Sequence, residues 1–320
     1  YRQAGGLEAR VVALESVYNE FSGGLATPAA LRAFLAYADR HWRQAPAYVV
    51  LAGKGTLDYR DVLGYGDNQV PPQLIATGRG LFPADGAYAP DGWRGSLGRL
   101  PAASAAELET MVGKIIAFEN TGGAWRERVL LAADDPDGGG DFPAGSDALL
   151  ASIGSEAKRI YLSEYPVDTA RGMLREGLRE GAGFVNYLGH GSVERLATEG
   201  LLRNADVAGL ENGSRLPVLT AFTCVLNQFG IPGYRTLSER LMLEPDGGMA
   251  AVWAPSAMSD NAVAAELARR FYEAVYDAGE SELGPAIRAA QTGVTGEAAA
   301  ATLATYLLLG DPALRLRPEK

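Results

Sequence analysis

The chain has a single cysteine, Cys224, and only two histidines, His41 and His190, among its 320 residues. One cysteine excludes an internal disulfide. With no His-Glu-x-x-His and two histidines far apart, a zinc site is not expected either. No apolar run approaches the roughly 18 residues of a membrane helix, so membrane insertion is not expected. Basic residues are in the minority: 29 Lys and Arg stand against 39 Asp and Glu, a net charge of −10. No basic stretch with interleaved aromatics appears, which argues against nucleic acid as a partner. There is no Gly-x-Ser-x-Gly elbow, which counts against an α/β-hydrolase. Gly53-Lys54-Gly55-Thr56 follows an apolar run but lacks the P-loop spacing and a third glycine, so nucleotide binding is rejected.

What is present is the composition of an ordinary globular protein. Apolar residues make up 47% and charged residues 21%. That is enough for a large core and one or two domains. Forty glycines, with many alanines, suggest a GC-rich bacterial coding sequence. The start at Tyr1, with no leader-like segment, reads as a processed form.

Strand and helix patterns alternate, most cleanly in the second half. Strands are expected at Val11–Leu14, Tyr48–Ala52, Val129–Ala133, Arg159–Leu162, Gly183–Leu188, Leu216–Phe222, Met249–Ala254 and Thr305–Leu309. Thr27-Pro28 opens a helix striped by Leu31, Phe34, Leu35 and Ala38, with His41 as a favourable base at its end. Ser104-Ala105-Ala106-Glu107 is a capping box. Further helices are expected near Asp147–Lys158, Thr169–Glu180, Thr236–Leu243 and Ala262–Tyr276. Gly64 to Arg99, rich in Gly and Pro, reads as short strands in a surface lobe. The pattern predicts an α/β fold, a mostly parallel sheet with helices on both faces. Thr121-Gly122-Gly123 divides it into a smaller α/β subdomain, 1–123, and a larger one, 124–320.

Two of the expected strands end at reactive side chains. Phe184–Leu188 runs into Gly189-His190-Gly191-Ser192, and Leu216–Phe222 runs into Thr223-Cys224. Parallel neighbours joined by a crossover point their C-terminal ends the same way, and ligands of open α/β sheets sit beyond those ends. An imidazole and a thiol are thus expected on one rim, where the imidazole can take the thiol proton. Gly191 and Cys224 N–H groups are candidates to face an oxyanion. Asp134, Asp135, Asp137 and Asp141 follow Val129–Ala133 in a glycine-rich loop. Three readings are open for them: an acid that orients His190, oxygens that hold a cation, or a solvated turn.

The ordered set Asn186-Tyr187-Leu188-Gly189-His190-Gly191-Ser192, Thr223-Cys224 and Leu309-Gly310-Asp311-Pro312-Ala313-Leu314 resembles the gingipain-type cysteine peptidases, which have a caspase-like fold. Val17-Tyr18-Asn19-Glu20-Phe21, Gly98-Arg99-Leu100-Pro101 and Lys114-Ile115-Ile116 extend the resemblance to the first half. It implies a catalytic dyad of His190 and Cys224, a peptide or protein substrate, and a secreted or cell-surface setting. It implies an acid at Asp135 near the histidine and no cofactor for the chemistry, with structural calcium at Asp134, Asp137 and Asp141. It also implies Asp147 as the acid that selects a basic residue before the cut; Ser192 is a further candidate for the substrate cleft, and Trp253, on another strand, either walls that cleft or packs in the core. Asp147 is equally suited to cap a helix with Ser146. Two departures, Leu226-Asn227-Gln228-Phe229 after the cysteine and Val193-Glu194-Arg195-Leu196 after the histidine, leave specificity unassigned. A sortase-like maturation transpeptidase and an inactive binding or scaffold domain are the alternatives.

Overall fold

The computed structural model describes residues 1–154 and 157–316. Eight strands, among the described residues, form its main sheet: β1 (Tyr48–Ala52), β2 (Ser96–Leu100), β3 (Val129–Ala133), β4 (Lys158–Tyr161), β5 (Phe184–Leu188), β6 (Val218–Phe222), β7 (Ala251–Pro255) and β8 (Tyr306–Leu309). Their spatial order is β1-β2-β8-β7-β6-β5-β3-β4. All neighbours pair in parallel except β7 and β8, which run antiparallel. One reversed pairing makes the sheet mixed and divides it into two blocks of opposite direction. β3, β5, β6 and β7 are buried along their full length. Strands covered by helices on both faces need apolar side chains on both faces, which is why they read as continuous apolar runs rather than alternating ones.

The helices that flank this sheet include Ala105–Asn120, Val167–Glu180 and Asn261–Tyr272. Thr27 caps its helix through the Ala30 amide, and Ser104 accepts from the Glu107 amide, but the box is not closed, because the Glu107 carboxylate takes the Ala103 amide instead of that of Ser104. The surface lobe carries the short hairpin Leu74–Thr77 with Gly80–Pro83. A satellite cluster of Leu31, Leu35, Leu51, Val70 and Tyr88 packs the N-terminal helices onto β1.

Three expectations are corrected. Val11 to Ala13 form no strand; the helix Leu14–Ser22 begins there instead, because Leu14, Val17, Tyr18 and Phe21 recur at helical spacing. The helix expected at Asp147–Lys158 is two shorter ones, Phe142–Asp147 and Leu150–Ile153. Asp141 caps the first through the Ala144 amide, with Pro143 in its first turn, so the helix starts inside the stretch read as loop. Asp147 therefore ends a helix rather than capping one. Ser155 and Glu156 lie outside the described residues.

The helix Leu237–Leu243 ends on an unusual partner. The Lys114 ammonium, on a side chain 6% exposed, donates to the Leu241 carbonyl (2.7 Å) and the Glu244 carbonyl (3.1 Å). These carbonyls lack intrahelical donors, and a cation there suits the helix dipole. Burial nonetheless pushes the Lys114 pKa down to about 7. The folded chain then releases this proton near neutrality while the unfolded chain keeps it to about 10.4. Stability from this group accordingly rises with pH between those limits, by up to about 1.4 kcal/mol per pH unit. In urea melts of wild type and Lys114→Met at several pH values across this window, the wild type should gain on the variant as pH rises. Parallel slopes would show that Lys114 stays charged.

Candidate active site

The rim forms where β3, β5 and β6 end together. Ala133 stands opposite Leu188, and Leu188 opposite Phe222. Hydrogen bonding continues one step beyond: Asp134 N–H donates to the Leu188 carbonyl (2.9 Å) and Gly189 N–H to that of Phe222 (3.4 Å). His190 and Cys224 are each two residues past that registered pair. They therefore leave adjacent strands at the same level, where neighbouring strands run about 4.8 Å apart.

His190 is held at several points. Its N–H donates to Asp134 Oδ2 (3.0 Å). Its carbonyl accepts from the Tyr187 hydroxyl (2.6 Å) and the Ala197 amide (2.9 Å). The ring lies edge-on to Phe142, 5.4 Å between centroids, and Nε2 is 2.9 Å from Asp137 Oδ2. The imidazole and the Asp137 carboxylate are both about half exposed. The Gly139 amide, and then His190, hold the Asp137 carboxyl below the usual range.

Cys224 is half-buried and free. The next residue, Val225, has φ of 47°. A β-branched residue in the left-handed region is strained, and such strain is found at sites where the fold fixes an exposed group. The Val225 amide is tied to the Ala257 carbonyl (2.9 Å), which fixes the turn. Tyr306 lies close by, bonded to Ser259, and burial pushes its hydroxyl pKa upward. Gly191 packs against Thr223: a Cβ there would sit 2.3 Å from Thr223 Oγ1, so only glycine lets the two rim segments approach this closely.

The other expected site residues fall in four places. Asp135, expected beside the imidazole, is exposed and clusters with Asp134 and Glu199. The tight Asp137–Gly140 turn brings Asp137 onto the ring instead. Ser192 is half-buried, and its hydroxyl accepts from the Glu194 amide (3.3 Å) in a small ribbon formed by Gly191–Ser192, Arg195–Leu196 and Leu202–Arg203. Trp253, expected to wall a cleft, is fully buried among Phe222, Phe271 and Tyr306; its place mid-strand in β7 puts it in the core. Asp147 Oδ1 accepts from Arg159 Nε (2.7 Å) and the Tyr161 hydroxyl (2.9 Å) on edge strand β4.

The calcium set is likewise rearranged. Asp141 is a helix cap and Asp137 is engaged with His190, so Asp134, Asp137 and Asp141 do not converge. The carboxylates that do converge are Asp134, Asp135 and Glu199, whose oxygens lie within 4.8 Å of one another. This hard-oxygen set could hold a cation such as calcium if waters or carbonyls supplied the remaining ligands. Glu199, Phe142 and the strained Val225 were missed from sequence, while Asp137 was named there as a cation ligand rather than as the acid on the imidazole.

The fold and its rim define a caspase-like α/β peptidase framework with a histidine and a cysteine on neighbouring strand ends. The chain belongs to peptidase family C25, whose family model matches residues 1–317. Among solved structures it resembles the Arg-specific cysteine proteinase gingipain R (RgpB), at 18% identity and a TM-score of 0.77, over 99% of this chain and 76% of that one. It also resembles the complex of Porphyromonas gingivalis RgpB pro- and mature domains, at 19% identity and a TM-score of 0.80, over 98% and 74%. A third structure, described only as a protease, aligns at 17% identity and a TM-score of 0.70, over 91% and 69%. At these identities the likeness speaks for the fold. No curated protein matches the chain. No helix among the described residues is long and apolar enough to cross a membrane.

Proposed function

We propose that the chain is a cysteine endopeptidase in which Cys224 is the nucleophile and His190 the general base and acid. The observation that supports this reading is the register of β5 and β6, which end level, with His190 and Cys224 each two residues beyond the last registered pair. In the proposed reaction His190 takes the Cys224 proton, and the thiolate attacks the scissile carbonyl. The imidazolium then protonates the leaving amine, and water resolves the acyl-enzyme. Asp137 stabilises the imidazolium. Backbone N–H groups of Gly191 and Cys224 are the candidate oxyanion donors, each worth about 3 kcal/mol in well-studied hydrolases. An extracellular setting and a protein or peptide substrate accompany this reading.

A basic residue before the cut is the finer extension and rests on Asp147. Arg159 and Tyr161 already engage that carboxylate, so a substrate arginine would have to displace an internal one. Mass-spectrometric profiling of a mixed peptide library tests both levels. Cleavage that disappears after iodoacetamide treatment is expected. Enrichment of Arg or Lys before the cut would assign Asp147 a selecting role, and its absence would remove that role. Products ligated to an added amine would turn the reading to transpeptidation. A Cys224 that is inert to alkylation, with no cleavage, would favour a binding domain instead.

A further inference from the structure

Asp134 is 2% exposed, yet no Lys or Arg pairs with it among the described residues. Burial raises its pKa to about 6, and the amides of His190 and Asp135 lower it only in part. A buried carboxylate without a cation is costly, and a strand end has no structural need of one. What this carboxylate does hold is backbone. Oδ2 accepts from His190 N–H (3.0 Å) and Oδ1 from Asp135 N–H (3.1 Å), while the Tyr187 hydroxyl lies 3.4 Å from Oδ2. The same Tyr187 hydroxyl donates to the carbonyl of His190 (2.6 Å). Gly189 closes the cradle: with φ of 152°, any Cβ there would sit 2.4 Å from Asp134 Cβ and 2.5 Å from the Tyr187 hydroxyl.

We infer that Asp134 is a positioning residue for His190, which it holds by the main chain while Asp137 holds the ring. This rests on the reading of His190 and Cys224 as the reacting pair. The two acids act on different parts of the same residue. Asp137 sets the rotation of the imidazole, and Asp134 with Tyr187 sets the height of its Cα above the strand end. Without the second, the ring can drift from the thiol although Asp137 is still present. Misplacement by about 1 Å costs on the order of 10²-fold in rate.

The test uses Asp134→Ala, Asp134→Asn and Tyr187→Phe in chelator-treated buffer, so that a cation at the acidic cluster does not contribute. Asp134→Ala should lower kcat by about 10²-fold while KM stays within about twofold. Asp134→Asn keeps one carbonyl oxygen for an amide and should recover part of the loss. Only two histidines are present, so NMR reads His190 with His41 as an internal control. The His190 ring resonances should move in the Asp134 variants while those of His41 stay. A folded Asp134→Ala with wild-type kcat and unmoved His190 resonances would overturn the inference. Should Asp134→Ala fail to fold, the same readouts in Asp134→Asn and Tyr187→Phe decide. If the wild type shows no Cys224-dependent turnover, the peptidase reading falls, but the NMR comparison still decides whether Asp134 places His190.

Discussion

Replacing Cys224 by alanine is expected to lower peptide turnover by about 10⁵-fold or more, and His190→Ala to do nearly the same. The size follows from the interdependence of the two groups. A thiol attacks as its thiolate, so a Cys224 without a base beside it is largely unreactive near neutral pH. A His190 without the thiol has no nucleophile to activate. Neither half retains much alone, so the double variant should be no worse than the more damaged single one. Steady-state kinetics on the best library peptide would measure this. Losses that multiply in the double variant would mean that the two residues act independently, and the dyad reading would fail. The fold should survive in all three variants, because the His190 ring and the Cys224 side chain both stand partly in solvent at the rim.

Asp85→Ala is expected to produce the largest loss of stability, about 3–5 kcal/mol. Arg99, on β2, is 1% exposed, and Asp85 is 2% exposed. The guanidinium meets the carboxylate through Nε (2.6 Å) and Nη2 (3.0 Å), and Nη1 donates to the carbonyls of Gly53 and Val70, both at 2.8 Å. Its flat face lies 4.7 Å from the centre of the Phe229 ring. Removing the acid leaves a buried cation whose Coulomb partner is gone while its desolvation cost remains. At roughly 2 °C per kcal/mol for a chain of this size, the melting temperature should fall by about 6–10 °C. Asp85→Leu combined with Arg99→Met removes both charges, and should lie well above the sum of the single losses. Additive losses in thermal melts would show that the pair is not coupled. Phe229 belongs to the segment that follows Cys224, so the Asp85 variant should also lose activity before it unfolds.

The strands of the second half were legible because they are buried and bounded by glycine and polar residues. Val129–Ala133 was placed to the residue, and the others within two at each end. The placement of His190 and Cys224 beyond neighbouring strand ends was legible for the same reason: each follows an apolar run, and rare residue types are conspicuous. Asp137 was harder. Four aspartates crowd one glycine-rich loop, and which one meets the imidazole depends on the turn between Asp137 and Gly140, which spacing alone does not specify. The short ribbon after His190 was missed because two-residue strands carry no periodicity. The partners of Asp147 were not legible either. It ends a helix, and Arg159 and Tyr161, on β4, donate to its Oδ1, a pairing that no spacing in the sequence announces.

Strand β8, which runs with β1 and β2 and against β7, has a bearing on biosynthesis. It alone joins the block β1–β2 to the block that carries the rim, touching Arg99 on one side through Leu309 and pairing along β7 on the other. On the ribosome, β1 and β2 emerge some 200 residues before the strand that will cover their inner edge. Until Tyr306–Leu309 is released, that edge and the edge of β7 are both open to other chains. Long-range closure of this kind is slow and exposes the nascent chain to aggregation. The sheet is therefore completed only once Tyr306–Leu309 has been made.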